Sequence, residues 1–158
     1  MLGDGPIAGI LMTVSAKGGV MATTQKTLTI DADAHVIETD RTWEFMDGEY
    51  EKYKPVTVAP TGGEPKRLHW IIDGKIKARR VNIGADTSED SRELHDTAAR
   101  LRHMDELGTD IQVLYPTIYT RKIADDPAAD YALGRSYNRW LAEFCQQAPG
   151  RRAPWHRP

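Results

Sequence analysis

At 158 residues, with 40% hydrophobic and 28% charged side chains, the chain has the size and balance of one ordinary globular domain. A formal net charge of −2 gives no support to a nucleic-acid or membrane-surface partner, and no run approaches the ~18 apolar residues of a membrane span. The single cysteine, Cys145, excludes an intrachain disulfide framework and suits a reducing cytoplasm, where it reads as a core or half-buried residue beside Phe144.

Residues 1–25 carry glycines, small residues and two internal methionines, Met12 and Met21, without sustained periodicity. They read as a loosely ordered leader. Asp4 stands where a secretory signal would carry positive charge, so secretion is a minor reading. The segment from Thr29 to Glu38 then reads as a β-strand ending in an Asp-x-His pair. Strict alternation would put Asp31, Asp33 and His35 on one face and Leu28, Ile30 and Ala32 on the other. A divalent metal explains two carboxylates and an imidazole on one side, because both groups are standard ligands for zinc, manganese or iron. An ordinary half-exposed strand with a polar face explains them as well.

Thr42–Met46 and Tyr50–Tyr53 suggest short amphipathic turns, and Pro55, Pro60, Gly62, Gly63 and Pro65 mark an irregular connection. Two β-prone runs then flank Asp73-Gly74, the sequence signal for a type I′ hairpin. His69 and Trp70 fall on opposite faces of that hairpin. Thr87-Ser88-Glu89-Asp90 looks like a capping box, with Thr87 capping and Asp90 reaching back. Leu94, Ala98, Leu101, Met104 and Leu107 follow as one apolar helical stripe, closed by Gly108 at the C′ position. His95 and His103 fall off the stripe and default to solvent.

Thr109–Thr117 is a compact apolar strand stopped by proline, and helix–Gly–strand is the αβ step of a parallel sheet. Asp125-Asp126-Pro127 opens a second helix that runs through Tyr131, Tyr137, Trp140, Leu141 and Phe144 to about Ala148. The order strand, hairpin insertion, helix, strand, helix predicts an α/β fold with a β-rich insertion at about 50–86.

Three segments together resemble a known family: Ile30–Glu38, Arg102–Thr117 and Tyr137–Cys145, with the Asp-Gly hairpin between the first two. The chain from about residue 28 to Arg151 is similar to the N-terminal part of the amidohydrolase-2 family. These are metal-dependent TIM-barrel enzymes related to aminocarboxymuconate-semialdehyde decarboxylase. The resemblance implies an incomplete (β/α)8 barrel over 26–150 and a divalent metal, zinc first with manganese or iron as alternatives. It implies hydrolysis or non-oxidative decarboxylation of a small carboxylated substrate. Asp33 and His35 match the family's ligand pair at the end of the first barrel strand. Glu38 matches an acidic position just beyond, with loop anchoring favoured over a pocket role. Tyr115 and Thr117, at the C-terminal end of a later strand where barrels place their sites, are candidates to line the substrate pocket, with packing as the alternative.

A full barrel takes roughly 250 residues, and no residue here corresponds to the family's later histidine and aspartate. The segment 151–158, Arg-Arg-Ala-Pro-Trp-His-Arg-Pro, is an atypical tail whose prolines do not suit a central strand. The expectation is a truncated or frame-shifted family member, weakly active or inactive alone. The alternative is a non-catalytic barrel fragment that self-associates or pairs with another barrel segment.

Overall fold

A computed structural model describes residues 27–59, 61, 68–79, 86–119, 122–148 and 150, together with the backbone of 10–14, 20–24 and 152–154. Within the leader, β1 (Ile10–Val14) and β2 (Val20–Thr24) pair antiparallel. The first strand of the domain proper is β3 (Ile30–Val36), followed by two 3-10 turns, Asp40–Trp43 and Gly48–Tyr53.

The insertion is a three-stranded antiparallel sheet of β4 (Val56–Val58), β5 (His69–Ile72) and β6 (Lys75–Ala78). The proline-rich stretch therefore contains a strand where an irregular connection is expected, while 60 and 62–67 lie outside the described residues. Asp73 and Gly74 take φ of 49° and 68°, the paired positive values of a type I′ turn, as the Asp-Gly signal predicts. Trp70 is buried and His69 half-buried on opposite faces. The hairpin tip docks by side chain to backbone: Asp73 Oδ2 accepts from the N–H groups of Asp125 (2.8 Å) and Asp126 (3.1 Å).

Instead of one helix from residue 87, the chain forms α1 (Glu89–Arg92) and α2 (Thr97–Glu106), a correction to the continuous stripe. Ser88, not Thr87, caps α1 by accepting from Ser91 N. Leu94 interrupts at φ 55°, a left-handed conformation that costs a branched residue about 1–2 kcal/mol. Two gains offset this: Leu94 buries its side chain in the core, and Asp96 caps α2 by accepting from Ala98 N at 2.8 Å. The break rotates α2, so its buried face is Ala99, Arg100 and Met104, and Leu107 is exposed. Gly108, φ 68°, closes α2 in a Schellman motif, with Thr109 N bonding Met104 O (2.8 Å) and Gly108 N bonding Asp105 O (3.1 Å).

β7 (Ile111–Pro116) pairs parallel with β3, completing the predicted βαβ step. α3 (Pro127–Gln146) follows, capped by Asp126 with proline at its start. Arg152–Pro154 then adds as β8, parallel to β7. It is three residues long and sits at the edge of the order β3-β7-β8, a position where proline is tolerated.

The core lies on one face of this sheet. Ala34, Val36 and Leu114 of the strands pack in one cluster with Leu133, Tyr137, Trp140, Leu141 and Phe144 of α3 and with Trp43, Trp70 and Ile72. Trp43 meets Trp70 edge-on at 5.9 Å, fastening the insertion to the turn after β3. Ser136 Oγ donates to Thr42 O (2.7 Å) and Arg139 reaches Asp47 (2.6 Å), clamping α3 to the two 3-10 turns. Among the described residues the opposite sheet face is open: Ile111, Val113 and Tyr115 are half-buried and Ile30 is 55% exposed. The result is a mixed α/β fold with no closed barrel among the described residues.

Candidate functional site

β3 and β7 are in register as Ile30↔Ile111, Asp31↔Gln112, then Ala34↔Leu114, His35↔Tyr115 and Val36↔Pro116. Between Asp31 and Ala34 the first strand advances three residues while its partner advances two. This is a β-bulge, and one extra residue reverses which face the following side chains take. Ala34 and Val36 thereby enter the core, while Asp33 and His35 turn to the open face. Asp31 does not join them, a correction to strict alternation. Its Oδ1 accepts from Asp33 N (3.1 Å) within the bulge, and its Oδ2 accepts from the buried amide of Gln112 (3.1 Å).

On the open face Asp33 Oδ1 lies 3.6 Å from His35 Nε2, with Asp33 almost fully exposed and the imidazole 29% exposed. Two metal–ligand bonds of about 2.1 Å at a tetrahedral angle place their donor atoms roughly 3.4 Å apart. The pair therefore fits two corners of a coordination sphere with an open approach from solvent. Among the described residues no group of three or more His, Cys, Asp or Glu side chains could hold a metal ion. The other imidazole nitrogen, Nδ1, is enclosed and makes no hydrogen bond among the described residues, so Nε2 is the nitrogen offered outward.

Tyr115 stands beside His35 on the same face, ring centroids 6.2 Å apart. Thr117 is buried at the strand end, and both its groups are taken by Glu38. Glu38 Oε1 accepts from Thr117 N (3.0 Å) and Ile118 N (3.2 Å), and Oε2 accepts from the Thr117 hydroxyl. Glu38 is thus an anchor for the loop after β7. Burial pushes its carboxyl above the ordinary range, opposed by those hydrogen bonds. Tyr137 lies nearby with its phenol raised by burial and by Glu38, and its hydroxyl has no hydrogen-bond partner among the described residues.

Two residues that the sequence reading passed over organise this site from behind. Arg100, buried on α2, donates to Gln112 Oε1 (2.8 Å), to Ser91 O (3.2 Å) and through both terminal nitrogens to His35 O (3.3 Å each). Arg100 lies four residues before Met104, and Gln112 interrupts an otherwise apolar strand on its buried side. A polar residue at an inward position was the available signal for both. Elsewhere, a groove of about 440 Å³ runs between α2 and α3, lined by Phe45, Leu94, Leu101, Trp140 and Phe144 among others. It includes none of Asp33, His35 and Tyr115.

No protein-family model matches the chain, and no curated protein matches it. Among solved structures it is similar to an amidohydrolase from Mycobacterium avium subsp. paratuberculosis K-10, with a TM-score of 0.57 and 17% identity. The match covers 82% of this chain and 42% of that one. The likeness extends the fold over most of the chain, which spans less than half the length of that amidohydrolase.

Proposed function

We propose that this chain is the N-terminal part of an amidohydrolase-type (β/α)8 barrel. In this reading β3, α2, β7, α3 and β8 are its first strands and helices, and the antiparallel sheet is an insertion. Asp33 and His35 hold two positions on a divalent metal, zinc first with manganese or iron as alternatives. The metal supplies Lewis acidity, polarising a substrate oxygen or acidifying a water for hydrolysis or decarboxylation of a small carboxylated substrate. Tyr115 lines the approach beside His35, while Thr117 holds the strand end in place through Glu38. The single observation that carries the reading is the convergence of Asp33 and His35 at 3.6 Å near the C-terminal end of the first parallel strand.

Catalytic zinc normally has three protein ligands and an open position. With two on this face among the described residues, this reading makes the chain alone weakly active or inactive and assigns activity to a complete barrel. Cys145, half-buried and the sole cysteine, suits a reducing cytoplasmic setting. Among the described residues no helix is long and apolar enough to cross a membrane.

Equilibrium dialysis with zinc and with manganese tests the proposal. One equivalent bound by the parent chain, and lost in Asp33→Ala and His35→Ala, is the expected result. Binding that survives both substitutions would refute the assignment.

A second reading is favoured by the open face itself. Exposed Ile30 with half-buried Ile111, Val113 and Tyr115 makes an apolar surface that is uncovered among the described residues. Beside it β3 has no strand partner on its outer edge among the described residues. In that reading the chain acts through self-association, and large oligomers without metal would identify it.

A further inference from the structure

We propose that Arg100 is the positioning residue of the Asp33–His35 pair, holding the β3 bulge that turns the two side chains toward one another. The inference deepens the metal-site reading and rests on it for its functional meaning. A bulge leaves a residue unpaired and locally disrupts the ladder, so the direction of the side chains beside it depends on the other contacts that hold the strand there.

Here one connected set of polar groups does so. At the near end, Asp31 accepts from Asp33 N and from Gln112, whose Oε1 in turn accepts from Arg100 Nε at 2.8 Å. At the far end, the His35 carbonyl accepts from both terminal nitrogens of the same guanidinium at 3.3 Å. Arg100 therefore spans the three residues that decide where the imidazole and the carboxylate point.

Arg100 is 4% exposed, and a buried cation of this kind is costly unless its donors are satisfied. The planar fork is what the task requires. It addresses a side-chain amide with one edge and a backbone carbonyl with the other, and lysine cannot reproduce that geometry. Ser91 O, a third acceptor at 3.2 Å, ties the same group to α1 and fixes its depth behind the sheet. Arg100 reaches the pair through the His35 carbonyl and, by way of Gln112 and Asp31, through the Asp33 N–H, so it acts on them through the backbone.

The test compares Arg100→Lys and Gln112→Met with the parent chain. Arg79→Ala serves as a stability control, because it removes the ion pair with Glu93 and no hydrogen bond of this network. Zinc affinity is measured by chelator competition, and the Asp33 amide and His35 ring nitrogens are followed by NMR. Arg100→Lys and Gln112→Met are each expected to weaken zinc binding about tenfold or more and to move the Asp33 and His35 signals, while Arg79→Ala leaves both in place. A loss clearly below about tenfold in Arg100→Lys overturns the proposal. If the parent chain itself binds no zinc, the metal reading falls on its own, and the NMR decides for Arg100. Displaced Asp33 and His35 signals in Arg100→Lys then uphold the positioning role, and unchanged signals overturn it.

Discussion

Glu38 takes both polar groups of Thr117, the backbone N–H at 3.0 Å and the hydroxyl, and so fastens the end of β7 to the end of β3. The carboxylate is buried, and desolvation raises its pKa more than the hydrogen bonds lower it. A carboxyl raised in the folded state binds its proton more tightly there than in the unfolded chain. Its contribution is therefore full below the ordinary carboxylate pKa and is lost as pH rises through the folded value.

Glu38→Gln keeps an acceptor for Thr117 and Ile118 and has no charge to desolvate. Its unfolding free energy should lose the part of the pH slope that begins in the ordinary carboxylate range. Glu38→Ala should instead cost about 3 kcal/mol, because it strands buried donors. Urea unfolding of the three proteins from pH 4 upward, in roughly unit steps, checks both. A parent and glutamine variant with parallel pH profiles would contradict the assignment.

Gly108 offers a backbone test with few side effects. Its φ of 68° closes the Schellman motif, and a Cβ added there would meet open space. Gly108→Ala should therefore destabilise by about 1 kcal/mol through conformation alone, with Gly108→Asn nearer the parent. Thermal unfolding of the two variants gives the comparison, and an alanine variant as stable as the parent would argue against the left-handed cap.

Arg79 and Glu93 are paired at 3.1 Å with both side chains only 9% exposed, joining the insertion to α1. Arg79 also lies over the Trp70 ring at 5.4 Å. Removing either partner leaves the other charge buried, so Arg79→Ala or Glu93→Ala should each cost about 3 kcal/mol. The double variant should cost much less than their sum. A double-mutant cycle by chemical denaturation measures this, and additive costs would mean the pair is not coupled.

Much of this architecture was legible in the chain. Asp73-Gly74 announced its own turn, Asp126-Pro127 its helix start, Gly108 its helix stop, and the apolar run through Ile111–Pro116 its strand. Each of these depends on local stereochemistry that a residue type dictates by itself. What escaped depends on contacts distant in sequence. Leu94 accepts a left-handed backbone because the core rewards its burial, and no local rule foresees that. The bulge in β3 is set by Gln112 and Arg100, some 80 and 65 positions from the residues they hold. Alternation therefore paired Asp33 with His35 on one face, as found, but for Asp31 it gave the wrong side.

The open face leads to the last prediction. Ile30 pairs in register with Ile111 at the start of the sheet, and both sides of that pair look outward onto the surface that carries Asp33 and His35. Burying one such side chain against a second copy is worth about 1.5–3 kcal/mol. If the face mediates self-association, Ile30→Lys should weaken it by about tenfold or more, since the change both removes apolar area and places a charge on an edge strand. Sedimentation velocity over a concentration series reads this directly. Because Asp33 lies on the same face, zinc should compete with association, and the sedimentation profile should shift toward smaller species as metal is added. A parent chain that stays monomeric throughout, or an oligomer indifferent to Ile30→Lys, would remove the face as an interface.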